Sequence, residues 1–119
     1  KMEYFQAPFT VNQIASIAAI AAIDDEAFLA ESCRINNVGR KILTEAFEAL
    51  GYHVVNSDSN FLFVYFEDAE ERNKVTDALE KNDILIRKTD IFGADNAFRI
   101  TIGTPELNAK VIECINNEL

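Results

Sequence analysis

Ile14, Ile17, Ile20 and Ile23 recur every three residues, and alanine fills most of the positions between them. Only Ser16 interrupts the apolar run from Ile14 to Ile23. Thr10 followed by Gln13 predicts a capping box, so the run is expected to form a helix over about residues 11–22. Such a helix is apolar nearly all round, and helices of that kind are buried on several sides. A chain of 119 residues has little material to do this. Either this helix is the centre of the core, or it packs against protein outside the chain. The run is also too short to cross a bilayer, which takes about 20 apolar residues.

After an extended entry over residues 1–9, punctuated by Pro8, and this first helix, the patterning changes. Asp24-Asp25-Glu26 supplies the negative charge that suits a helix start. Ile35, Val38, Ile42, Leu43, Ala46, Phe47 and Leu50 then follow a 3.6-residue period, which predicts a second helix ended by Gly51 as its C′ residue. Tyr52–Val55 reads as a short strand and Asn56–Asn60 as a turn cluster. Phe61–Phe66 is apolar on both alternating faces, as a central strand covered on both sides would be. A helix over about 70–81 turns inward Val75, Ala78 and Leu79. Strands are expected at Ile84–Arg87 and Phe98–Ile102. Thr104 and Pro105 open a last helix, as N-cap and first helical residue, with Val111, Ile112, Ile115 and Leu119 as its buried stripe. The order α-α-β-β-α-β-β-α predicts an α/β fold of the α+β two-layer kind. Its sheet is expected to be mixed, mostly antiparallel and three- or four-stranded, with helices mainly on one face and all of residues 1–119 in a single domain.

Twenty acidic against eleven basic residues give a net charge of −9. That balance, with no basic run, argues against nucleic acid and anionic membrane surfaces as partners. Cys33 and Cys114 are read as two buried thiols in a reducing cytoplasm. No metal-ligand spacing occurs, and the single histidine, His53, reads as a surface residue on a short strand.

Two arginines stand out. Period two along the last strand puts Phe98, Ile100 and Ile102 on one face and Arg99, Thr101 and Gly103 on the other. The second face is polar and tapers to a glycine that leaves room for an approaching group. A mid-strand arginine needs an anion or water, and its planar fork suits a carboxylate. Arg87 ends the preceding strand on the side opposite Ile84 and Ile86. Together the two could hold a small dianion, although salt bridges to surface acids would explain the same pattern.

The stretch Phe98-Arg99-Ile100-Thr101-Ile102-Gly103-Thr104-Pro105-Glu106-Leu107-Asn108 resembles the C-terminal signature of histidinol-phosphate aminotransferases. Pro8-Phe9-Thr10-Val11-Asn12, Gly51-Tyr52 through Ser59-Asn60-Phe61, and Ile84-Leu85-Ile86-Arg87 resemble three further stretches in the family's order. The resemblance implies the C-terminal small domain of a fold-type I pyridoxal-phosphate enzyme. Such an enzyme moves an amino group between histidinol phosphate and 2-oxoglutarate in histidine biosynthesis. It implies Arg99 as ligand of the glutamate α-carboxylate, Arg87 as ligand of the substrate phosphate, and Asn60 near the cleft.

The Schiff-base lysine, the pyridine-nitrogen partner and the cofactor phosphate site would belong to a large domain preceding Lys1, so pyridoxal 5'-phosphate binding and catalysis are not expected of this chain alone. A cytoplasmic homodimer is implied for the full-length protein. Asp83 stands where the family usually has glycine, and Leu107 where it has a second glutamate. The alternatives are another fold-type I enzyme, such as an amino-acid aminotransferase or a phosphothreonine decarboxylase-like enzyme, or a stand-alone dianion-binding module.

Overall fold

A computed structural model describes residues 11–118. The expected extended entry at residues 1–9, Thr10 and Leu119 lie outside the described residues. Four helices and four strands follow the predicted order: α1 (Gln13–Ile23), α2 (Glu26–Ala49), β1 (His53–Val54), β2 (Phe61–Tyr65), α3 (Ala69–Lys81), β3 (Arg87–Lys88), β4 (Ala97–Thr101) and α4 (Pro105–Glu118). The chain divides after Ser32 into two compact units.

In the first unit, α1 starts later than a Thr10 cap would place it. Asn12 is its N-cap, and the side-chain oxygen accepts from the Ala15 amide at 2.8 Å. None of its residues is buried, and Ile14 and Ile23 are 81% and 79% exposed. The helix is therefore not the centre of a core. Asp25 accepts from the Phe28 amide at 2.9 Å, so the acids before α2 do cap it.

The second unit is an antiparallel sheet in the order β1-β2-β4-β3, with every pairing antiparallel. Because β4 inserts between β2 and β3, the path β2-α3-β3 is a split β-α-β unit. Leu62, Val64 and Phe66 from β2 and its exit, and Phe98, Ile100 and Ile102 from β4 and its exit, turn to one face. There they meet Leu43 and Phe47 of α2, Val75 and Leu79 of α3, and Val111 and Ile115 of α4 in one cluster. Phe98 touches Phe47 and Phe66 ring to ring, at 6.0 and 5.0 Å between centroids. The helices thus cover one face of the sheet. Phe61, Phe63 and Tyr65 on the other are only half-buried, so β2 is central in the sheet but is not covered on both sides.

Local chemistry sets the ends of these elements. α2 closes with the Gly51 amide on the Glu48 carbonyl and the Tyr52 amide on the Phe47 carbonyl, with Gly51 at φ +88°. This is a Schellman motif with Gly51 at C′, as expected. α3 closes in the same way, with the Asp83 amide on Glu80 and the Ile84 amide on Leu79. Here the C′ residue is Asp83, at φ +58°, so the aspartate keeps the left-handed turn that a glycine would make.

Three expectations are corrected. The predicted strand Ile84–Arg87 pairs only at Arg87–Lys88, because Ile84 is still committed to the end of α3. Val38 and Ile42 are 48% and 44% exposed, and the buried line of α2 runs through Gly39, Leu43 and Phe47 instead. Cys33 is exposed and only Cys114 is buried. Among the described residues, no helix is long and apolar enough to cross a membrane.

Candidate functional site

Arg99 lies at the middle of β4, on the face away from the helices. The register sets it directly opposite Phe63 of β2 on one side and Arg87 of β3 on the other. Directly opposed residues of an antiparallel pair share a face, so the two arginines predicted from alternation do stand side by side. Like charges in that position repel and need compensation.

The compensation is aromatic. The Arg99 guanidinium carbon lies 4.0 Å from the Phe61 ring centroid, and that of Arg87 lies 5.7 Å from the Phe92 centroid. Both distances are within cation–π range. Neither arginine has a salt-bridge partner among the described residues. The Nε of Arg99 is buried with no hydrogen-bond partner there. Surface ion pairing, the other explanation for two arginines in this pattern, is therefore not what the described residues provide.

Asn60 precedes β2 and is exposed. Its carbonyl accepts from the Ile102 amide at 2.9 Å, which sets it beside the exit of the Arg99 strand. The turn before it is braced by residues that sequence reasoning did not single out. Arg40 of α2 donates from Nη2 to the Ser59 carbonyl at 2.8 Å, and the Ser57 and Ser59 hydroxyls are 2.8 Å apart. The rings of Phe61 and Phe92 were missed as well. Phe61 was recoverable, since it pairs with Thr101 and so falls on the Arg99 face once the register is known.

Gly103 has a different role from the one expected. A methyl group there would lie 2.9 Å from Cβ of Leu107, so the vacancy is taken up by the first turn of α4. Asn108 completes this corner. It accepts from the Gly103 amide at 2.9 Å and donates to the Gly103 carbonyl at 3.1 Å. Open space lies alongside instead, in a cleft of about 260 Å³ lined by Leu85, Thr101, Gly103 and Leu107 among others.

The face suits an anion. Among the described lysines, Lys41, Lys74, Lys81 and Lys110 are on helices, and Lys88 pairs with Phe98, whose side chain points to the core. None is on the Arg99 face. No group of acids, cysteines and histidine among the described residues could hold a metal. His53 is exposed, as expected, with its ring stacked on Tyr65 at 6.3 Å. Elsewhere, Thr104 donates a hydrogen bond to the Glu106 carboxylate and lowers its pKa, at the start of α4. The Thr104 hydroxyl oxygen, 3.4 Å from the Leu107 amide, is the predicted N-cap.

The second unit is thus a two-layer α+β domain whose open face carries paired arginines with no salt bridge among the described residues. The chain belongs to the family described as aminotransferase class I and II, whose pattern matches residues 1–115. It is similar to histidinol-phosphate aminotransferase 1 of Cupriavidus pinatubonensis, at 37% identity over 113 residues, which are 94% of this chain and 30% of the relative. It is also similar to the histidinol-phosphate aminotransferase of Moorella thermoacetica, at 38% over 112 residues, 94% of this chain and 28% of the relative. Among solved structures, a putative histidinol-phosphate aminotransferase from Erwinia carotovora atroseptica superposes with a TM-score of 0.80 at 29% identity, over 97% of this chain and 32% of that one. The histidinol-phosphate aminotransferase of Clostridium acetobutylicum gives 0.77 at 28%, over 96% and 36%. The chain thus spans about 30% of the length of the curated relatives it matches.

Proposed function

We propose that this chain is the C-terminal small domain of a histidinol-phosphate aminotransferase that exchanges an amino group between histidinol phosphate and 2-oxoglutarate. On this reading Arg99 binds the α-carboxylate of glutamate and 2-oxoglutarate through a bidentate fork. Arg87 binds the substrate phosphate, and Asn60 stands at the rim of the cleft. The large domain supplies pyridoxal 5'-phosphate, its lysine and its charge partner. When bound, the cofactor supplies the electron sink for the reaction. The residues of this chain hold the anionic ends of the substrate and keep water from them. The protein is a cytoplasmic homodimer, and this chain alone does not transaminate.

The observation that carries the reading is Arg99, which stands directly across from Arg87 with no carboxylate partner among the described residues. A guanidinium kept off every described carboxylate is available to one from outside. The family relationship supports the amino-transfer chemistry, and the names of the relatives support the substrate. In the holoenzyme, Arg99→Ala is expected to raise KM for glutamate at least about tenfold, the loss of a charge-assisted hydrogen bond. Unchanged glutamate kinetics would remove Arg99 from the site. Added pyridoxal phosphate is expected to give no stoichiometric absorbance band on this chain, and a band reducible onto one of its lysines would overturn the division of labour.

A further inference from the structure

Arg87 is the less supported of the two arginines. It is exposed, on a two-residue edge strand. An arginine there can adopt many rotamers, and freezing one costs affinity each time a ligand binds. The segment that follows it is built to limit that freedom. Asp90–Phe92 forms a single 3₁₀ turn closed by Gly93 at φ +77°. Its Phe92 ring lies against the Arg87 guanidinium at 5.7 Å.

That turn is tied down from behind. Arg72 of α3, 4% exposed, donates from Nη1 and Nη2 to the two Asp90 oxygens, each at 2.9 Å. Thr89 is fully buried, with its hydroxyl 2.7 Å from the Ala94 carbonyl and 2.8 Å from the Ala97 carbonyl. Arg72 is buried while Asp90 is 48% exposed, so the bidentate pair anchors a surface turn from inside the domain. What the ion pair adds is a fixed direction for the turn, and so for the ring at its end.

We propose that Phe92 is a positioning residue for Arg87, held in place by the Arg72–Asp90 pair, and that it sets the enzyme's affinity for phosphate-bearing substrates. The inference rests on the reading of Arg87 as a phosphate ligand. The guanidinium carbon lies over the ring, and a ring takes up none of the guanidinium's N–H donors in a conventional hydrogen bond. Because Phe92 meets only the Arg87 end of the pair, its effect falls on the phosphate-bearing substrate and not on glutamate.

The test is steady-state kinetics of the holoenzyme carrying Phe92→Ala, Phe92→Trp or Arg87→Ala, with the phosphate ester and glutamate varied in turn. Phe92→Ala is expected to raise KM for the phosphate ester about 3- to 10-fold, the range for loss of one cation–π contact. The kcat value and KM for glutamate stay within about twofold. Phe92→Trp, which keeps an aromatic face, is expected to retain the parent KM. Parent-like KM in Phe92→Ala, with KM raised in Arg87→Ala, would overturn the positioning role alone. Equal rises for both substrates would also overturn it, as a general loss of structure. A parent-like Arg87→Ala would overturn the phosphate reading itself, and this inference with it.

Discussion

Gly39 has no room for a side chain. A methyl group added to it would lie 2.5 Å from Nδ2 of Asn108 and 2.6 Å from Cγ2 of Ile102. Neither neighbour can withdraw cheaply. Ile102 is 9% exposed and Asn108 4%, and the Asn108 amide makes both hydrogen bonds that hold Gly103. Gly39→Ala gains about 1 kcal/mol of helix propensity. Against that stand about 1–3 kcal/mol for overpacking and about 1–3 kcal/mol for two disturbed hydrogen bonds. The net is a loss of about 3 kcal/mol, or a Tm lower by about 10–15 °C. Thermal and urea unfolding followed by circular dichroism measure it. The companion variant Asn108→Ala removes one of the two clashing groups, so the double variant should be less unstable than the sum of the singles. A Gly39→Ala protein as stable as the parent would show that helix propensity outweighs the contact. Additive singles would show that Asn108 is not what the methyl meets.

Asp83 occupies a left-handed C′ position, so Asp83→Gly is expected to stabilise by about 0.5–1 kcal/mol; a loss on thermal unfolding would mean that the aspartate side chain contributes more than the strain it bears. Arg72 holds the Asp90 carboxyl down at about 2, from an ordinary 3.8. A depressed carboxyl stabilises the fold fully above its unfolded pKa and loses that contribution as pH falls through the folded one, so Asp90→Asn should remove part of the acid destabilisation between about pH 4 and pH 2 in pH-dependent urea midpoints. Cys33 is exposed, while burial pushes the Cys114 thiol up, with the Glu118 carboxylate adding to the rise; a thiol reagent should therefore modify one cysteine of the native chain quickly and the second only on unfolding, as peptide mapping would show.

The features legible in the sequence were those set by short-range rules. Alternation along Phe98–Ile102 placed Arg99 on the open face, because period two is fixed by the backbone. Gly51 as a C′ residue and the inner line Val75, Ala78, Leu79 followed from helix geometry in the same way. What failed depended on choices made elsewhere in the chain. Ile84 and Ile86 alternate as a strand would, yet the Ile84 amide is already used by the Leu79 carbonyl, so pairing with β4 begins only at Arg87. Cys33 shares a helix with the core line of α2, but six residues from Gly39 place it roughly 120° round the axis, and no patterning reveals which stripe the sheet will choose. The braces of the site were hidden for the same reason. Arg40 and Ser59 are 19 residues apart, and Arg72 and Asp90 are 18. Nothing local marks an arginine as the partner of one particular carbonyl or carboxylate.

The arginines of the second unit meet two different kinds of partner. The chain has an excess of acids, so every arginine could in principle find a carboxylate. Arg72 does so, with both nitrogens at 2.9 Å from Asp90, and its pKa is raised by that hydrogen bond. Arg99 and Arg87 stand opposite one another, where like charges repel, and each rests on an aromatic ring. A ring attracts a cation without neutralising it, so the positive field between the two survives in a chain whose net charge is −9. Folding gains little from such an arrangement. An incoming dianion would gain more, because it would relieve the repulsion between the two. That asymmetry between folding and binding is the physical ground for the proposal that the pair serves a substrate, and it does not depend on which dianion is bound.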